Sequence, residues 1–366
     1  MARPRKSIMK KLICLPNKIL TTLDENLLPF LPAATLAPYC VQQTHCQPFQ
    51  DFSFDDLDPA IISAFNVHKD LIAPEYLYHY TQPCSIEPRR GWVITQDHRV
   101  IFESLPCVKR EKAHKPSFYR QRIARKKTQY LPVAASIRGS WTNYWHFHDN
   151  ALGQLTYLDR CGVDPDIPIV ITQKKLGPNF VQEVMKKIKR NWVIQDEETF
   201  IETDQVYFCK NASFVDTHFK AILSLLNNPP ADPNQNEKIF LTRSQHRKRH
   251  IQNAEQIENI ARACGFRVID SDDLSYLEQV ALFSTTRYLV GIHGAGLTNI
   301  IHRSPAHLAL LEIFPKNLIL PYYFRLAKGF GFDYDALCGG EEHNKPYFSL
   351  DPEVFEDRLK RFLSRY

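Results

Sequence analysis

From Lys238 to Phe314 the apolar residues come in short dense runs separated by amphipathic stretches. "KIFLTR", "FRVID", "RYLVGI" and "HLALLEIF" are compact and rich in Ile, Val, Leu and Phe, the pattern of strands covered on both faces. Between them, "NAEQIENIARACG" places its apolar positions three and four residues apart and ends in Gly265, which predicts a helix. "SYLEQVALFSTT" predicts a second helix, with Ser275 and Glu278 as a capping box at its start, and "GLTNIIHR" a short third one. Strands alternating with helices predict a parallel sheet with right-handed crossovers.

The first half is less regular. Residues 1–60 are proline-rich and irregular, with "LLPFLPAATLAP" as an extended connector. "GWVITQDHRVIF" predicts a hairpin turning near Gln96 and Asp97. "IPIVIT" predicts a buried strand, "NFVQEVMKKIK" a helix and "QVYFCK" a short strand, so residues 61–224 read as an α/β domain. Residues 225–238, "LLNNPPADPNQNEK", read as a linker by composition. A Rossmann-like domain over 239–345 and a C-terminal helix within 346–366, "DPEVFEDRLKRFLSRY", complete the expected organisation.

A length of 366 residues suits two such domains, and 44% hydrophobic with 23% charged residues is ordinary globular composition. The nine cysteines are scattered without a CxxC pair; Cys40 and Cys46 bracket His45, but no second ligand pair follows. Free thiols are expected rather than zinc. "MARPRKSIMKKLICLP" has the charge of a signal peptide without its apolar core, and no stretch reaches the roughly 20 apolar residues of a membrane span. The expected location is the cytoplasm. Much of the net charge of +6 gathers in Lys109–Lys127, a solvated face or a contact with anionic membrane at its inner surface. No nucleic-acid-binding signature accompanies it.

"VGIHGAGLTN", Val290–Asn299, carries Gly291, Gly294 and Gly296, three of only 13 glycines. The turn falls between a strand and a helix, at the end of a parallel sheet where phosphates approach the main chain. Close packing accounts comfortably for one glycine and poorly for three. There is no Walker lysine after Gly296, no GxGxxG and no GxSxG elbow, which leaves a nucleotide diphosphate as the best guest. Glu312, about twenty residues past the turn at the end of "HLALLEIF", is where a carboxylate can hold a ribose diol.

These stretches resemble the family 61 glycosyltransferases. "LVGIHGAGLTNIIHRSPAHLALLEIFP" is similar to the family's glycine turn and following strand, "FLTRSQHRKRHIQNAEQIENIARACGF" to its Arg-ending strand and helix, "SYLEQVALFSTTRYLVG" to its Glu-Gln helix and "NYWHFHDNALGQL" to its Asn-Tyr-x-His motif. The likeness runs from about Asn143 to Pro315. Two positions depart from it: the usual acidic residue four after the motif histidine is Asn150, with Asp149 just before it, and the family's Pro-Gly after the turn is Pro305-Ala306.

The resemblance implies a GT-B fold, two Rossmann-like domains facing a cleft with the C-terminal helix crossing back. It also implies inverting transfer from a nucleotide sugar. A cytoplasmic member of that family points to a glycan or lipid-linked acceptor and to surface polysaccharide synthesis as the expected role. No metal or other cofactor is expected, because the helix N-terminus at the turn and the arginines supply the positive charge. The donor site would comprise Arg243, Arg249, His293, Gly294, Ala295, Gly296, Leu297, Thr298, Asn299 and Glu312. Asp149 or His146 would be the base, with Tyr144, Trp145 and His148 toward the acceptor. The pairs Asp56–Asp58 and Asp164–Asp166 lack the context of a metal-holding Asp-x-Asp, and Asp270–Asp272 follows a strand but leads directly to the capped helix, so that Ser271 and Asp272 read as turn or cap residues. A catalytically silent nucleotide- or glycan-binding homologue and an NAD-dependent Rossmann oxidoreductase stay open beside the transferase.

Overall fold

The computed structural model describes residues 28–45, 57–68, 74–105, 127–139, 141–210, 216–245, 247–340 and 347–366. Most of the basic stretch Lys109–Lys127, Cys46 and Asp56 lie outside the described residues. Contacts divide the chain into two units: Met1–His45, Pro74–Thr142 and Asn150–Ser213 form one, and Cys46–Ala73, Asn143–Asp149 and Phe214–Tyr366 the other.

The first unit holds a nine-stranded mixed sheet. Its strands are β1 (Cys40–His45), β2 (Pro74–Tyr80), β3 (Cys84–Ile86), β4 (Val93–Thr95), β5 (Val100–Ile101), β6 (Lys127–Ser136), β7 (Ile169–Thr172), β8 (Trp192–Gln195) and β9 (Thr199–Lys210). They run in the order β5-β4-β3-β9-β6-β7-β8, with β2 also on β9 and β1 on β2. The pairs β9–β6, β6–β7 and β7–β8 are parallel, and the other pairs antiparallel. The expected hairpin is β4–β5, its turn completed by His98 at φ 63°. The short strand expected at "QVYFCK" is the end of the longer β9, whose earlier half, with Glu202 and Asp204, is too polar to read as a strand.

The second unit is an α/β fold around a five-stranded, wholly parallel sheet. Its elements are β10 (Glu237–Leu241), β11 (His250–Ile251), β12 (Arg267–Ile269), β13 (Thr286–Ile292), β14 (Ala309–Phe314), β15 (Asp333–Cys338) and β16 (Tyr347–Phe348). The sheet runs β12-β10-β13-β14-β15. Numbered along the chain this is the doubly wound order 2-1-3-4-5, whose switch point falls between β10 and β13. Alternation divides each strand between two faces: Phe240, Val290, Ile292, Leu311 and Ile313 share one cluster, whereas Gly291 and Glu312 point the other way. β11 and β16 pair in a separate parallel ladder.

The helices expected at Ala254–Ala263 and Tyr276–Thr285 form as read, the second with its capping box between Ser275 and Glu278 complete. "GLTNIIHR" winds as a 3₁₀ helix, Ala295–Arg303. The C-terminal helix Pro352–Arg365 is capped by Asp351 and buries Phe355, Leu359 and Phe362 in the same cluster as Phe240 and Val290. Its apolar face thus completes the second unit's own core. The helix Asp216–Leu226 and the stretch Asn143–Asp149 belong to the second unit, ahead of the expected linker. Truncating Phe355, which is fully buried, to Ala is expected to cost about 3–5 kcal/mol. Urea unfolding should show a lower midpoint at unchanged slope.

Candidate functional site

At the switch point the carboxyl ends of β10 and β13 lie side by side, with Leu241 opposite Gly291. Arg243 leaves the first strand and the glycine turn leaves the second, so topology alone brings them together. The Arg243 guanidinium lies across Gly294: a Cβ there would stand 2.0 Å from Nη1, which donates to the His293 carbonyl at 3.4 Å. Nε has no hydrogen-bond partner. Burial, then the charges of Arg249 and Arg247, pushes the Arg243 guanidinium down to about 10. One loop therefore gathers three arginines, and Arg249 holds a left-handed backbone at φ 68°.

The other two glycines answer to packing. A Cβ on Gly291 would come within 2.7 Å of Leu297, and one on Gly296 within 2.9 Å of both Leu241 and Ser271. Packing thus accounts for two of the three, more than the sequence suggested. Only Gly294 makes room for a charged group. The Leu297 N–H, expected among the anion donors, is already given to the Gly294 carbonyl at 2.9 Å. Gly294, Ala295 and Gly296 are left as candidate main-chain donors, while Leu297 and Thr298 are fully buried.

His293 is 3% exposed, and its Nδ1 meets Glu312 Oε1 at 2.5 Å. Tyr334 donates its hydroxyl to the second oxygen, Oε2, at 2.7 Å, and burial holds that phenol well above its ordinary value. Glu312 is wholly buried within β14, paired with Gly291, and not at the strand end. With both oxygens engaged, it orients the His293 ring instead of presenting the free carboxylate expected for a ribose. A carboxylate on Nδ1 makes that nitrogen the donor and leaves Nε2 as the ring's second polar atom.

Asn299 joins three separate segments. Its side-chain oxygen accepts from the Tyr144 hydroxyl (2.8 Å), and its amide donates to Gln279 (2.8 Å) and to the Gly296 carbonyl (3.0 Å). Tyr144 and Trp145 are core: Trp145 stacks on Tyr322 at 5.6 Å and 9° and packs on Phe219 and Tyr323. His148 is fully buried against Tyr144, accepts no partner at Nε2 and places Nδ1 2.9 Å from the Tyr144 carbonyl. These contacts correct the expected acceptor-stacking face, because all three rings are spent inside the second unit.

The motif's remaining polar groups separate. His146 is exposed, with its backbone N–H donated to Asn143; Asp149 is 1% exposed. The stretch Phe147–Leu152 winds as a π-helix, a form that recurs at functional sites. Asn150, at the family's acidic position, belongs to the first unit and packs its Cβ against Gly139.

Asp270 caps its own turn, accepting from Asp272 and Ser244, while Asp272 pairs with Arg247 at 2.7 Å. Among the described residues no His, Cys, Asp and Glu group has the make-up of a metal site, and no helix is long and apolar enough to cross a membrane. Sequence reasoning missed Gln279 and Tyr334 as partners. Gln279 carried a signal as the Gln of the Glu-Gln helix; Tyr334 carried none.

A doubly wound parallel sheet with a glycine turn and converging arginines at its switch point is the arrangement in which open α/β sheets hold ligands. Residues 144–308 match the family model described as Glycosyltransferase 61, in agreement with the resemblance read from the sequence. No curated protein matches the chain.

Burial holds the His148 imidazole down at about 4, against an ordinary value near 6.5. The unfolded chain therefore binds the extra proton first, and stability falls as pH drops from about 6.5 to about 4, by on the order of 3 kcal/mol. Denaturant unfolding across that window should show the slope in the wild type and a flatter one in His148→Asn.

Proposed function

We propose that the chain is an inverting, metal-independent glycosyltransferase of GT-B type. In this reading the second unit holds a nucleotide-sugar donor, and the acceptor is a glycan or lipid-linked glycan of a surface polysaccharide. The observation that carries it is the Arg243 guanidinium laid over Gly294 at the switch point, with an unpartnered Nε and two further arginines on its loop. A leaving diphosphate develops negative charge, and fixed guanidinium and main-chain donors stabilise it without reorganising. Arg243 and Arg249 would take the phosphates, with the Gly294–Gly296 amides as additional donors.

His293, its ring fixed by Glu312, would contact the donor through Nε2. Thr298 and Asn299 would serve by holding the turn in shape. The attacking hydroxyl needs a base, and Asp149 and His146 are the candidates. His146 is exposed and Asp149 is buried. Mutation separates them.

Thermal unfolding with UDP, GDP, CMP and NAD, each with and without EDTA, tests the donor site. One nucleoside diphosphate should stabilise the fold, by about 2.7 kcal/mol at a hundredfold excess over its Kd, whether or not EDTA is present. Arg243→Ala should abolish the shift. Stabilisation by NAD alone, or by nothing, overturns the reading. With the donor identified, Asp149→Asn and His146→Ala are compared in a transfer assay. The base is the residue whose loss lowers kcat by about 10²–10⁴-fold at nearly unchanged KM.

A further inference from the structure

The first unit contains a buried positive charge whose outer nitrogens bond to nothing. Arg138 lies two residues past the end of β6 and is 1% exposed. Its Nε donates to Ser136 Oγ at 2.7 Å, while Gln154 fixes its main chain, accepting from the N–H at 3.2 Å and donating to the carbonyl. Nη1 and Nη2 have no hydrogen-bond partner. The guanidinium lies flat on Gly91, where φ is +77° and a Cβ would stand 1.7 Å from Cζ. Glu87 is the acidic group whose charge reaches Arg138. Its carboxylate, however, accepts from the N–H groups of Arg89, Arg90 and Gly91, at 2.9, 2.7 and 3.1 Å.

A second cation stands beside the first. Lys175 follows the end of β7, is partly exposed, and donates to the carbonyl of Gly139, the residue after Arg138, at 2.7 Å. Its ammonium lies 5.9 Å from the centre of the Trp141 ring. Burial, reinforced by the Arg138 charge, pushes Lys175 down to about 7. Thr172, the last residue of β7, is 2% exposed, and its hydroxyl has no partner. Because β6 and β7 are parallel neighbours, with Ser136 opposite Val170, these groups sit at the carboxyl ends of adjacent strands.

An unpaired buried guanidinium next to a second cation is costly unless an anion completes it. We propose that Arg138, Lys175 and Thr172 form a second anion site, lodged in the first unit, that takes a phosphate group. Phosphate offers paired oxygens to the two Nη atoms, a further oxygen to the ammonium and an acceptor for the threonine hydroxyl. The site stands whether or not the second unit binds a nucleotide. The phosphate comes either as the free ion or as part of a larger phosphorylated molecule.

Thermal unfolding and calorimetric titration of the full chain with inorganic phosphate, and separately with geranyl phosphate, test the proposal, with potassium chloride at matched ionic strength as the control. Phosphate should raise the unfolding temperature and chloride should not. Lys175→Gln and Thr172→Val should each weaken binding by about tenfold or more. Arg243→Ala should leave it intact, which separates this site from the donor site. Arg138→Gln removes a fully buried residue, so the partly exposed Lys175 is the deciding position. Tighter binding of geranyl phosphate identifies the phosphate of a larger ligand, and equal affinity the free ion. The proposal fails if neither compound binds more than chloride does, if binding survives both Lys175→Gln and Thr172→Val, or if Arg243→Ala removes it.

Discussion

The second unit turns on one buried amide. Asn299 is fully enclosed, and its side chain bonds at once to Tyr144, Gln279 and Gly296. A buried amide left unsatisfied costs roughly 1–3 kcal/mol per group. The Tyr144 stretch, the capped helix Tyr276–Thr285 and the glycine turn are therefore held to one geometry, since any shift of one breaks bonds in the others. The position of Gly294 under Arg243 is inherited from that geometry.

The parts that were legible in the sequence are those decided locally. Parallel strands buried on both faces must be continuously apolar, so β10, β13 and β14 announce themselves, and Ser275 with Glu278 marks a helix start without outside help. What stayed hidden depends on partners far along the chain. Nothing near Tyr144 says that its hydroxyl meets Asn299, 155 residues away. Glu312 reads as a strand end because the apolar run stops near it; only the pairing with Gly291 shows it to be interior and turned toward His293. The amphipathic character of the last helix is plain, but which sheet face Phe355 and Phe362 cover is a property of the assembled core.

The net charge of +6 draws attention in the sequence to Lys109–Lys127. Two buried guanidinium groups are set against backbone near strand ends, Arg243 over Gly294 and Arg138 over Gly91. Each glycine is the complement of an arginine. In both places desolvation lowers the guanidinium below its ordinary value. His293 is the contrast, since Glu312 already answers it.

The small ladder of β11 and β16 gives the arginine loop a second anchorage. His250 and Ile251 pair with Tyr347 and Phe348, Gln252 donates to the Phe348 carbonyl at 2.8 Å, and Asn253 bonds Leu350 in both directions. The loop from Thr242 to Arg249 is thus a short bridge resting on β10 at one end and on the approach to the C-terminal helix at the other. Its stiffness belongs to both supports. Tyr347, Phe348 and Leu350, near the end of the chain, thus help to fix the far end of the loop that carries Arg243.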